Sequence, residues 1–220
     1  MRWLAYRISC FLARCLLWPF VKIHVLEAAA SARAGRGSWC RIHISHFDPP
    51  LLSLAACRAV DWMAMRELFA NRFFATWLRA IGTFPADRGK ADGAAVRTTL
   101  ERLKQGRVVG IFPEGGIRDG EHSILQGAPM KPGALRLAQM AGVPIVPCVI
   151  LGSDRLYNRR RWNPRHRAQV WIGFGSALEA SAGPAALAGA LQVLTRELRE
   201  KFSLTDDDLP QPPQARMREP

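Results

Sequence analysis

Between residues 38 and 204, short apolar runs alternate with stretches in which apolar side chains recur every three or four positions. Residues 38–44 have the pattern of a strand. Residues 49–58 have that of a helix, with Asp48 as its cap and Pro49 as its first helical position. Helical periodicity returns over 66–80 (RELFANRFFATWLRA) and 93–105 (GAAVRTTLERLKQ), and 107–112 (RVVGIF) is an apolar run of strand length. A long Gly-rich loop then precedes a helix over 132–140, strands beginning at 144 (PIVPCVI) and 168 (AQVWIGFG), and a last helix over 184–202. This alternation predicts an α/β fold: a single domain with a mostly parallel central sheet flanked by helices.

Both ends depart from that pattern. Residues 1–22 hold four cations and no acid among Trp, Leu, Phe and Ile, and the longest uncharged runs are six and seven residues. That is far short of the ~20 needed to span a bilayer, so an N-terminal amphipathic helix lying in a membrane interface is expected. Helical spacing puts Arg7 and Arg14 on one side, with Trp3, Leu4, Phe11 and Trp18 largely opposite. The alternative is a secretory signal, because 28–34 (AAASARA) supplies small residues of the right kind; Arg14 inside the would-be apolar core opposes it. From Thr205 onward, three consecutive aspartates and four prolines predict a disordered tail. The expected organisation is an arm over 1–34, a domain over 35–204 and a tail over 205–220.

Composition narrows the class of partner. A chain of 220 residues, 49% hydrophobic and 22% charged, suits one globular domain. The formal charge of +13 favours an anionic partner: nucleic acid, an acidic membrane face or a phosphorylated substrate. Five cysteines without a C-x-x-C pair read as reduced thiols, mostly small buried apolar residues, in a cytosolic compartment.

The densest chemistry lies in RIHISHFDPPLLS, residues 41–53. His43 closes the expected strand and Asp48 opens the expected helix, and the four intervening residues let the carboxylate fold back onto the imidazole. A carboxylate on one ring nitrogen fixes the tautomer and leaves the other nitrogen to accept a hydroxyl proton. Other readings stand beside this one. Asp48 serves equally as a helix cap, Ser45 lacks the sharp turn of an activated serine, and His46 could join His43 and Asp48 on a metal. No third histidine or cysteine cluster follows at ligand spacing, so no metal is expected.

Three later segments extend the pattern. GTFPADR supplies Gly82, Asp87 and Arg88; FPEGGIR supplies Phe112, Pro113, Glu114, Gly115, Gly116 and Arg118; and VPIVP runs from Val143 to Pro147, with Lys131 and Gly133 in a K-x-G-A segment before it. With the H-x-x-x-x-D of His43 and Asp48, the region from about 38 to 152 resembles the glycerolipid acyltransferase family, whose best-known members are the 1-acylglycerol-3-phosphate acyltransferases. The chain departs from the family pattern at Ile42, where asparagine is usual, at Pro85, and in the third block. There Gly116 replaces threonine and the arginine is delayed to Arg118.

The resemblance implies His43 as general base and Asp48 as its orienting partner. It also implies that Arg88, Arg118 and Lys131, with the Gly115–Gly116 turn, receive the phosphate of a lysophospholipid, and that Glu114 helps to hold that acceptor. These roles fit acyl transfer from an activated donor, which needs a base and oxyanion donors but no covalent intermediate. The expected donor is acyl-CoA or acyl carrier protein, and no cofactor is expected. Residues 155–167 (RLYNRRRWNPRHR) carry six arginines with Tyr157 and Trp162 and no acid. Such a run could stack on single-stranded nucleic acid. Beside an interfacial arm it fits anionic headgroups better, each surface cation contributing roughly 1 kcal/mol. The whole predicts a peripheral enzyme on the cytoplasmic face of a membrane, held by residues 1–22 and 155–167, with no nucleic-acid partner. Its rival is a non-catalytic lipid-binding protein on the same fold.

Overall fold

The computed structural model describes residues 2–27, 38–41, 46–56, 58–87, 92–114, 123–124, 128–158 and 162–209. His43, Arg88, Gly115, Gly116 and Arg118 lie outside the described residues. Seven strands form one sheet: β1 (Val21–Glu27), β2 (Ser38–Arg41), β3 (Val60–Met65), β4 (Phe84–Ala86), β5 (Val108–Ile111), β6 (Ile145–Leu151) and β7 (Ala168–Phe174), in the order β1-β7-β6-β2-β5-β3-β4. Strands β2 to β6 run parallel, β7 is antiparallel to β6, and β1 is parallel to β7. The parallel centre agrees with the α/β expectation. β6 and β5 are buried along their whole length, as strands covered on both faces must be.

Six α-helices accompany the sheet among the described residues: α1 (Arg2–Leu17), α2 (Asp48–Ala55), α3 (Arg72–Ala80), α4 (Gly93–Lys104), α5 (Gly133–Ala141) and α6 (Pro184–Phe202). α6 buries Leu187, Leu191, Leu194 and Leu198, spaced four, three and four apart, so one helical stripe faces the sheet. The helix expected over 66–80 divides. Arg66–Phe69 is a 3-10 turn, and Asn71 accepts from the amides of Phe73 and Phe74 to start α3 afresh.

Several elements depart from the sequence reading, the short β4 among them. Val21–Glu27, counted within the 1–34 arm, is an edge strand paired along its length with β7, so cleavage near Ala34 would remove both α1 and β1. β3 was missed because it carries Asp61. That carboxylate is buried, with Arg102 at 3.3 Å and Arg107 in closer contact, partners distant in sequence. The tail also begins in ordered structure. Asp206–Asp208 is a 3-10 turn with a capping box at Thr205, and Asp208 and Asp206 pair with Arg155 and Arg199.

The faces of α1 also need correction. Arg7 lies over the Trp3 ring at 4.5 Å and Arg14 over Trp18 at 5.9 Å, so cations and tryptophans share a flank rather than opposing each other. The face toward the domain is small or polar until the helix ends at the buried Leu17: the Tyr6 hydroxyl accepts from the Val60 amide, and Ser9 accepts from Trp77. Burial drives the Tyr6 phenol up to about 12, so it stays neutral. Leu4, Ile8, Phe11, Leu12 and Leu16 point outward, and Phe11 is 66% exposed. Neighbouring α3 exposes Phe73 to 90%, together with Phe74 and Trp77. Among the described residues, no helix is long and apolar enough to cross a membrane.

Candidate active site

The first three sequence blocks run to the carboxyl ends of parallel strands, while VPIVP opens β6 at its amino end. β2 leads to the segment ending at Asp48, β4 to Asp87, β5 to Phe112–Glu114, and β6 to Gly152 and Ser153. Because β2 lies between β5 and β6, the Asp48 segment is flanked by the FPEG block on one side and the 3-10 turn Ser153–Tyr157 on the other. Crevices beyond the carboxyl ends of such strands are where open α/β sheets hold ligands.

Asp48 is fully buried and is the first residue of α2 rather than its cap. The cap position is Phe47, whose side chain makes no capping bond, and Pro49 and Pro50 have no amide N–H that needs an acceptor. The Asp48 carboxylate is engaged elsewhere: the Ser153 hydroxyl donates to Oδ1 at 2.6 Å. His46, weighed as a metal ligand, is exposed and held by Tyr157. The phenol oxygen accepts the His46 amide at 2.9 Å and lies 2.5 Å from Nδ1. Ser153 and Tyr157 were absent from the sequence-derived site, since nothing in the local sequence links them to residues more than a hundred positions earlier.

The FPEG block is braced on both sides. Phe112 stacks on Trp62 at 5.7 Å, and Trp62 donates its indole N–H to Ser53 of α2. A side chain at Gly110 would run into the Trp62 ring, within 2.2 Å, so glycine is required there for the indole to lie across β5. Glu114, expected to help hold the acceptor, is buried and accepts from the Ser123 hydroxyl at 3.1 Å and the Ile124 amide at 3.0 Å. Those contacts tie the end of the FPEG strand exit to residues 123–124. The Lys131 amide donates to the Pro113 carbonyl at 2.9 Å, which closes the loop at its base and returns the exposed Lys131 to the FPEG block. Asp87 and Asp92 are tied in the same manner. Asp92 accepts the Asp87 amide on one oxygen and caps α4 through the Ala94 and Ala95 amides on the other. These bonds, from Asp87 first, hold the Asp92 carboxyl below its ordinary range.

A largely apolar cavity of about 280 Å³ opens beside the Asp48 segment. His46 and Pro49 contribute to its wall, and Ala13, Met63, Trp77 and Leu78 carry it between α1, β3 and α3.

An acyltransferase family model matches residues 39–151, just over half of the chain and the span holding all four blocks. The chain belongs to the acyltransferase family. It is 31% identical over 151 residues to a 1-acyl-sn-glycerol-3-phosphate acyltransferase of Bacillus subtilis, covering 65% of this chain and 70% of that protein. It is 26% identical over 171 residues to the Streptococcus pneumoniae protein of the same name, covering 77% of this chain and 60% of the other. The crystal structure of the 1-acyl-sn-glycerophosphate acyltransferase from Thermotoga maritima superposes with a TM-score of 0.67 over 92% of this chain and 81% of that one. At 20% identity, this likeness speaks for a shared fold. In this acyltransferase several described residues of the 155–167 run also have partners within the domain. Arg155 pairs with Asp208, Trp162 packs on Phe20 and Phe47, and Arg167 donates to the Val21 carbonyl.

Proposed function

We propose that this chain transfers a fatty acyl group from an acyl thioester, acyl-CoA or acyl carrier protein, to the free hydroxyl of 1-acylglycerol-3-phosphate, giving phosphatidic acid. The names of its relatives support this acceptor. The observation that carries the chemistry is the buried Asp48 carboxylate at the mouth of the parallel sheet, five residues after His43 and beside an apolar cavity.

In this reading His43 takes the proton from the acceptor hydroxyl as its oxygen attacks the thioester carbon. Asp48 holds the imidazole tautomer and balances the imidazolium. A carbon–oxygen bond forms, the carbon–sulfur bond breaks, and the imidazolium returns its proton to the departing thiolate. Arg88, Arg118, Lys131 and the Gly115–Gly116 amides bind the acceptor phosphate. Glu114 acts on the acceptor through the strand exit that it ties to residues 123–124. The cavity between α1 and α3 takes the distal, methyl end of an acyl chain, and the outward faces of those helices rest in the cytoplasmic leaflet of an anionic membrane.

Acyl transfer by purified protein to a panel of lyso-acceptors, each offered with both donors, tests this reading. Transfer fastest to 1-acylglycerol-3-phosphate supports it. Preference for a lyso-acceptor without a terminal phosphate would instead link the Gly116 and Arg118 departures to a different acceptor, and absence of transfer to any acceptor would favour a binding protein.

A further inference from the structure

We propose that Ser153 is a positioning residue for acyl transfer, acting through Asp48; the inference rests on the role given to His43 and Asp48 above. Ser153 and Asp48 are both fully buried, 105 residues apart, and joined by a hydrogen bond of 2.6 Å, the length of a charge-assisted bond from a hydroxyl to a carboxylate. The serine is placed by the end of β6. Gly152 adopts φ +80 there, and a side chain on it would come within 2.5 Å of the Gln169 carbonyl, so the turn forms only with glycine.

The same turn holds the segment a second time, two residues earlier. Tyr157 accepts the His46 amide, and its ring meets Phe47 edge-on at 5.6 Å. Arg155, between Ser153 and Tyr157, is tied to Asp208 and lies over Trp171. A rigid turn thus grips the H-x-x-x-x-D segment on either side of Phe47. With Oδ1 fixed by Ser153, the carboxylate plane cannot rotate, and its charge is held where the imidazolium must form.

The test uses the full chain in detergent-dispersed assays. Ser153→Ala is expected to lower kcat about 10- to 100-fold with KM for the acceptor nearly unchanged. The acid limb of the kcat profile should move to higher pH, because a carboxylate without its donor is more basic and retains the imidazolium proton longer. Ser153→Thr and Ser153→Val add similar bulk, so Thr recovering most of the lost rate while Val does not isolates the hydroxyl. This pair decides the matter if the alanine variant folds poorly. Asp48→Asn is measured in parallel. If it abolishes turnover while Ser153→Ala stays within about twofold of the parent with an unmoved pH profile, the positioning role of Ser153 is wrong and the Asp48 role stands. If Asp48→Asn stays active, both fall. Equal rates for the Thr and Val variants would also overturn the proposal.

Discussion

The indole N–H of Trp77 donates to the Ser9 hydroxyl at 3.0 Å, fastening α1 by its small-residue face to α3 while both helices turn bulky apolar side chains outward. An amphipathic helix normally buries its bulk against the protein. Here Leu4, Phe11, Leu12 and Phe73 face away from it, the arrangement suited to an apolar phase outside the molecule.

Substituting Phe11 or Phe73 with serine should therefore weaken binding to anionic vesicles. Each ring contributes about 1.5–3 kcal/mol of burial, roughly tenfold or more in partition, with little change in melting temperature. Co-sedimentation measures this directly. Binding that persists in both variants but falls when Arg159, Arg160, Arg161 and Arg165 are neutralised would assign the anchoring to the 155–167 segment.

A second expectation concerns the ion cluster beneath the Gly82 turn. Asp61 is 1% exposed and shared by Arg102 and Arg107, and Arg102 also donates to the Gly82 carbonyl. Asp61→Asn leaves buried guanidinium charge without its carboxylate and should cost about 3–5 kcal/mol in denaturant unfolding. A loss below about 1 kcal/mol would show that solvent already compensates the pair.

Asp92 links stability to pH with a definite sign. Its folded pKa is lowered, chiefly by the Asp87 amide, so the stability it contributes is present above the unfolded value and is lost as pH falls through the folded one. Asp92→Asn keeps a capping oxygen but cannot accept at two carboxylate oxygens. The melting-temperature gap between parent and variant should be widest near neutrality and close below about pH 4. A gap independent of pH would make the loss one of shape rather than charge.

Legibility in the sequence tracked how local each interaction is. The strand before and the helix after residues 42–45, and the strands at the FPEG and VPIVP blocks, were readable because apolar periodicity acts within a few residues. β1 was obscured by Lys22, His24 and Glu27 on an edge strand, and β3 by Asp61, whose neutralising arginines lie about 40 residues away. Asp48 looked like a cap because a carboxylate before two prolines suits that role. Its partner, Ser153, is brought in only by the pairing of β2 with β6. Composition of the 155–167 run does not reveal that Tyr157 and Trp162 also contact His46 and Phe47, more than a hundred positions earlier.

The phosphate site gives a fourth expectation. Arg88→Ala and Lys131→Ala each remove a charge-assisted contact of about 1.5–3 kcal/mol. KM should rise about 10- to 100-fold for 1-acylglycerol-3-phosphate and stay nearly constant for an acceptor lacking the phosphate. Equal losses for both acceptors would move these residues to the donor or to the fold.

The most direct test of acyl transfer by the H-x-x-x-x-D pair is turnover of His43→Ala with 1-acylglycerol-3-phosphate and an acyl thioester, beside His46→Ala. A positioned general base contributes about 10²- to 10⁴-fold in rate. His43→Ala should retain the parent's fold and lose that much phosphatidic acid formation, while His46→Ala, whose ring bonds Tyr157 outside the pair, should lose far less. Near-parent turnover in His43→Ala would contradict acyl transfer by this pair.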